Sequence, residues 1–98
     1  MASGQIRITP EQMRGRASEY RVEAGNVEGV ITKLDTLLQN LQSEWEGSSS
    51  ESYSARYEEL RPSFVKAQDL INEIAAALDS TANSIEELDT SIAGQWRG

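Results

Sequence analysis

Sixteen carboxylates and nine basic side chains carry the charge of this 98-residue chain, which has no histidine and no cysteine. The residues whose types and spacing could do acid–base chemistry are the adjacent acids Glu58-Glu59 and Glu86-Glu87. General acid–base catalysis needs a group of tuned pKa held within reach of a substrate proton. Carboxylates on a helix surface are ordinarily solvated, and these pairs read as solvated helix faces. Without histidine the commonest general base and metal ligand is missing. Without cysteine there is no thiolate or disulfide chemistry. The chain is expected to be no enzyme and to hold no metal or cofactor, so recognition is the chemistry left to it.

The formal net charge is −7, and the acid excess lies in residues 34–98. A surface of that sign argues against nucleic acid, which needs a basic footprint, and against stable insertion into or docking on anionic membranes. No segment approaches the ~18 consecutive apolar residues of a membrane span. The start, MASGQIRITPEQ, has no apolar core of a signal peptide; taken alone, that predicts an intracellular protein.

Two long segments must position whatever recognises a partner. Thr9-Pro10-Glu11-Gln12 has the form of a capping box, with Pro10 at the first helical position. Beyond it runs a stripe at alternating spacings of four and three: Met13, Ala17, Tyr20, Ala24, Val27, Ile31, Leu34, Leu38, Leu41, Trp45. That is the heptad pattern of a helix with one buried seam. Gly15, Gly25 and Gly29 weaken its first half, or let another helix approach closely. Ser48-Ser49-Ser50-Glu51 is a second capping box. After it comes an equivalent stripe: Tyr53, Tyr57, Leu60, Phe64, Ala67, Ile71, Ile74, Leu78, Thr81, Ile85, Leu88, Ile92. Pro62 falls inside this stripe and predicts a kink over residues 58–62 without a break. No stretch reads as a strand.

The spacing predicts an all-α chain: helix one over about 10–45, a turn at 45–47 and helix two over about 49–94. So short a connection forces an antiparallel hairpin. Gly47 supplies the backbone freedom for the reversal, and Trp45 is placed to plug the seam near Tyr53 and Tyr57. Leu34, Leu38, Leu41, Phe64, Ile71, Ile74 and Leu78 are the expected hairpin and dimer core. Val30, Leu37, Val65 and Leu70 lie beside the seams. They suggest a second packed surface that a four-helix bundle of two hairpins would bury.

Trp45-Glu46-Gly47 near the middle of a chain this long, between two capped amphipathic helices, resembles the Trp-X-Gly family of small helical-hairpin proteins. These are the early-secreted-antigenic-target-like substrates of type VII secretion systems. The resemblance spans the chain from IRITPEQ to IEELDTSIAGQWRG and is closest to the Gram-positive, Bacillus-like branch. It implies a virulence-factor-like secreted protein, exported without a cleaved signal peptide, which reverses the intracellular expectation. It also implies a homodimer, or a heterodimer with a sister protein, and recognition by the membrane ATPase of the secretion system. The resemblance makes Trp45, Glu46 and Gly47 part of the recognition surface. Many actinobacterial members of the family, or their partners, carry a Tyr-x-x-x-Asp/Glu signal after helix two, but here Tyr20, Tyr53 and Tyr57 are followed four residues on by Ala24, Tyr57 and Arg61. A broader family pattern, hydrophobe–acid–hydrophobe–hydrophobe at spacings of four, three and four, fits Ile85, Asp89, Ile92 and Trp96. The same residues also suit seam packing and the helix end. The function expected is an exported substrate, and possible co-secretion adaptor, acting by protein–protein recognition. The alternative is an intracellular coiled-coil adaptor or chaperone.

Overall fold

A computed structural model describes residues 8–45 and 47–97, with the backbone alone at 48, 91–93 and 95–97. It is an antiparallel hairpin of two helices, α1 (Pro10–Glu44) and α2 (Ser48–Arg97), about 77 × 25 × 18 Å. No described residue is in a strand.

The α1 start is built as the sequence predicts. The Thr9 hydroxyl accepts the Gln12 N–H at 3.1 Å, and the Gln12 side chain accepts the Thr9 N–H at 2.9 Å. Two donors that have no partner inside the helix are thereby satisfied. At the other end the Trp45 N–H donates to the Leu41 carbonyl at 2.9 Å, and Trp45 turns extended. Gly47 then takes φ +126°, a value side chains disfavour, and the chain re-enters a helix at once. The Gly47 carbonyl accepts both the backbone N–H and the hydroxyl of Ser50, at 3.2 and 2.9 Å. Gly47 thus stands where Ser48 was expected to cap, and Ser48 is already helical.

The helices meet along two inner rows. On α1 these are Ala17, Ala24, Ile31, Leu38 and Trp45; on α2 they are Ser54, Arg61, Gln68, Ala75 and Ala82. The fully buried apolar side chains are Met13, Ala17, Ala24, Ile31, Ala75 and Ala82. The polar pairs between helices fix the register: Arg14 with Glu86, Arg21 with Asp79, Arg61 with Asp35, Gln42 with Ser54. Within each half seven residues down α1 match seven up α2, and the two sets of pairs bracket a register that brings Ala17 near Ala82 and Ala24 near Ala75. The open half of the hairpin is therefore an alanine-on-alanine contact. The tip half sets Ile31 and Leu38 against Gln68 and Arg61.

This arrangement corrects the single-seam reading of α2. Leu60, Ala67, Ile74, Thr81 and Leu88 do not face α1, and Tyr53 meets Trp45 at the tip; all six are exposed. Tyr57, Ile71, Leu78 and Ile85, one position round, are half-buried. Of the expected core, Leu34, Leu38, Ile71 and Leu78 are half-buried, whereas Leu41, Phe64 and Ile74 are exposed in the single chain. The expected bend is not a break, for α2 runs on through Pro62 as one helix. Glu58 and Pro62 are both exposed, so water can take the carbonyl that the proline leaves unbonded.

Gly15, Gly25 and Gly29 approach nothing: a Cβ at any of them would meet no atom within 4 Å. They soften α1 without admitting α2. Gly25→Ala and Gly29→Ala are each expected to stabilise the chain by up to about 1 kcal/mol in urea unfolding. Ala82→Leu should do the opposite, costing about 1–3 kcal/mol, because the facing alanine layer has no room for three more carbons.

Candidate functional site: the hairpin tip and the two flanks

In an antiparallel helix pair, the residues four after each inner row fall on one flank, and those one before it fall on the other. On the first flank stand Arg14, Arg21, Asp35 and Gln42 of α1, and Asp79 and Glu86 of α2. On the second stand Val30 and Leu37 of α1, with Tyr53, Leu60, Ile74 and Leu88 of α2. Polar clasps close one flank and large apolar side chains crowd the other.

The polar flank is a ladder of charge-assisted hydrogen bonds. Arg14 donates to Asn83 Oδ1 at 2.7 Å and to Glu86 Oε1 at 2.5 Å. Arg21 donates to Asp79 Oδ2 at 2.6 Å, and Gln68 to Glu28 at 3.3 Å. Nearest the tip, Asp35 takes a bidentate pair from Arg61, Nε to Oδ1 at 3.0 Å and an η nitrogen to Oδ2 at 2.9 Å. Tyr57 adds its hydroxyl to Oδ1 at 2.5 Å. These bonds, Arg61 first and Tyr57 second, hold the Asp35 carboxyl down to about 2. Asp35 in turn raises Tyr57 and Arg61, chiefly through the same bonds. Hydrogen bonding to Arg14 lowers Glu86, and the same bond raises Arg14. Exposed ion pairs of this kind stabilise little; they mainly choose the register.

The apolar flank is the counterpart. Val30 and Leu37 are more than half exposed on α1, as is Leu88 on α2, and Leu41, Leu60, Phe64 and Ile74 are exposed beside them. Single exposed leucines need no explanation, but this many large apolar side chains exposed on one flank mark an interaction surface.

At the tip, Trp45 packs on Tyr53 with ring centroids 5.2 Å apart and planes tilted by 55°. Trp45 is half-buried and Tyr53 is 60% exposed, so the plug presents an aromatic surface to solvent. Gln42 and Ser54 hydrogen-bond just inside it. Glu46 lies outside the described residues, as do the side chains of Ile92 and Trp96. Ile85 is half-buried against α1, and Asp89 is exposed one turn on. The tip motif and this tail segment sit at opposite ends of one hairpin, so a single chain does not bring them together. The Asp35–Tyr57–Arg61 cluster escaped the sequence reading; its two partners sit at i and i+4 on α2, but the α1 contributor is visible only once the register is known.

Among the described residues no helix is long and apolar enough to cross a membrane, and no acid cluster is arranged to hold a metal.

Comparison with known proteins decides the family. Residues 5–90 match the family described as "Proteins of 100 residues with WXG". The chain belongs to the WXG100 family. It is 44% identical over 96 residues to protein YukE of Bacillus subtilis, covering 98% of this chain and 99% of that protein. It is 23% identical over 91 residues to type VII secretion system extracellular protein A of Staphylococcus aureus, covering 93% and 94%. Among solved structures it is similar to Geobacillus thermodenitrificans EsxA, at 46% identity and a TM-score of 0.79, covering 93% of this chain and 100% of that one. In this WXG100 chain the motif residues Trp45 and Gly47 are the plug and the reversal of the hairpin.

The Asp35 clasp has a defined pH response. Its folded pKa lies below the ordinary value of 3.8, so its stabilisation is complete above about pH 4 and is lost as pH falls toward about 2. The difference in thermal midpoint between the native chain and Asp35→Asn should stay constant from pH 7 to 5 and shrink below pH 4. A gap that closes already between pH 7 and 5 would contradict the assignment.

Proposed function

We propose that this WXG100 protein is a non-catalytic substrate of a type VII secretion system, exported as a folded dimer and recognised through protein–protein contacts. The observation that carries the reading is the match over residues 5–90, supported by the printed name of the S. aureus relative. The physical case is consistent with it: the described residues offer an aromatic tip and an apolar flank for a partner to bind.

The dimer follows from the flank. Val30, Leu37, Leu41, Leu60, Phe64 and Ile74 form a row that α1 and α2 cannot cover for one another. A second copy, laid flank to flank, would bury it in a four-helix bundle. A second copy brings the same apolar face, so the homodimer is the form proposed, with a sister-protein heterodimer as the alternative. If the two copies run antiparallel, Trp45-Glu46-Gly47 of one lies near Ile85, Asp89, Ile92 and Trp96 of the other. Tip and tail, separated in a single chain, then make one surface for the membrane ATPase. A co-secretion role would use the same surface.

Phe64→Glu/Ile74→Glu should shift sedimentation equilibrium from dimer to monomer while far-UV helicity persists. Wild-type chain that sediments as a monomer would remove the bundle from the proposal. For export, culture medium and cells are separated and both probed, with a cytosolic marker confined to the cells. Protein in the medium, lost on Trp45→Ala in a variant that still folds, supports the reading. Protein confined to cells while the secretion system is active overturns it in favour of an intracellular adaptor.

A further inference from the structure

The α2 segment that carries the tip is held to α1 without a fully buried side chain among its described residues. Among the described residues of α2, none before Ala75 is fully buried. Between Ser49 and Arg61 the residues turned toward α1 are polar or phenolic: Ser54, Tyr57 and Arg61. The segment ends at Pro62, whose missing N–H leaves the Glu58 carbonyl without its helical partner. Proline inside a helix is where sharp bends form. Yet α2 continues through it.

What lies against the weakened turn is Asp35. Tyr57 stands one residue before the unbonded carbonyl of Glu58, and Arg61 directly precedes Pro62. Both side chains end on the same carboxylate of α1, through bonds of 2.5, 2.9 and 3.0 Å. Tyr57 lies just before the turn that lacks its backbone bond and Arg61 lies within it, so the three contacts tie that turn to α1. Asp35 is half-buried and sits mid-helix on α1, where no proline interrupts the backbone. It therefore couples the interrupted turn to an uninterrupted one. On the tip side of the proline, Gln42 with Ser54 and the Trp45–Tyr53 contact also tie the segment to α1.

We propose that Asp35 is a splint: it holds α2 as one helix across Pro62 and so fixes the direction in which the Trp45–Tyr53 tip points. Without it the tip segment swings about residues 58–62 while the alanine-packed half stays closed. Asp35 is thus a positioning residue for whatever partner reads the tip. The inference concerns the conformation of the hairpin and stands whether or not the chain is exported.

The test is a distance distribution along α2. Ser49 and Ser84 are exposed and lie on either side of Pro62, and the chain has no native cysteine to mislabel. Spin labels on Ser49→Cys and Ser84→Cys are measured by pulsed dipolar spectroscopy, with labelled chain diluted into excess unlabelled chain. The native background should give one narrow peak near ~52 Å, the length of that stretch of helix. Asp35→Ala should broaden it by about twofold or more at unchanged total helicity. Adding Pro62→Ala, which restores the donor to the Glu58 carbonyl, should return the narrow peak although the clasp is still absent. Asp35→Asn keeps the side-chain volume and is read in the same way if Asp35→Ala loses its helicity. A peak that stays narrow in both Asp35 variants overturns the proposal. So does equal broadening with and without Pro62, which would make the clasp a general tie between the helices.

Discussion

The small residues between the helices are the constraint on which the rest of the hairpin depends. Ala17 and Ala24 of α1 lie near Ala82 and Ala75 of α2, and all four are buried almost completely. Alanine layers let two backbones approach closely, and once they do, no larger side chain fits between them. Tyr20, Ile74 and Leu88 must then leave the contact. The polar groups on one flank already close across the gap, so the large apolar side chains collect on the other. A hairpin so built hides little apolar surface of its own, and the rest must be covered by something else.

The two halves solve the contact differently. Toward the open end the inner layers are alanine, and Arg14 and Arg21 reach across to Glu86 and Asp79. Toward the tip, α1 supplies Ile31, Leu38 and Trp45, and α2 answers with Gln68, Arg61 and Ser54. An arginine facing leucine would be an expensive choice if its charge stayed in the seam. Arg61 avoids this by running its stem along the seam and placing its guanidinium on Asp35 at the flank. The tip is thus closed by one half-buried carboxylate and a tilted aromatic pair, where the open end is closed by small apolar residues.

Much of this was legible beforehand. The capping box at Thr9 and Gln12 is a local hydrogen-bond pattern, and local patterns survive folding. Gly47 between two amphipathic segments marked the reversal, and Trp45 marked the plug. Most of the α1 stripe was placed correctly because its inner row includes Ile31 and Leu38, whereas Tyr20 and Leu41 of the same stripe are exposed. The inner row of α2 was missed for a physical reason: it is Ser54, Arg61, Gln68, Ala75 and Ala82, which hydrophobic periodicity passes over in favour of the larger residues beside it. A stripe of large residues says that a surface is covered, but not by which neighbour. The Asp35 cluster was hidden for the same reason, since its partners meet only after the register is set. The far tail kept its ambiguity, because Ile85 serves the hairpin contact and a recognition pattern equally well.

The proportions of the molecule have a consequence of another kind. A compact domain of this length has a radius of gyration near ~13 Å, whereas this hairpin has 22.1 Å. Friction in solution follows shape as well as mass. A single hairpin therefore diffuses, and elutes from a sieving column, as a globular protein of considerably greater mass would. Apparent size judged against globular standards will suggest association where there is none, and only methods that weigh the particle independently of its shape can count the chains in it.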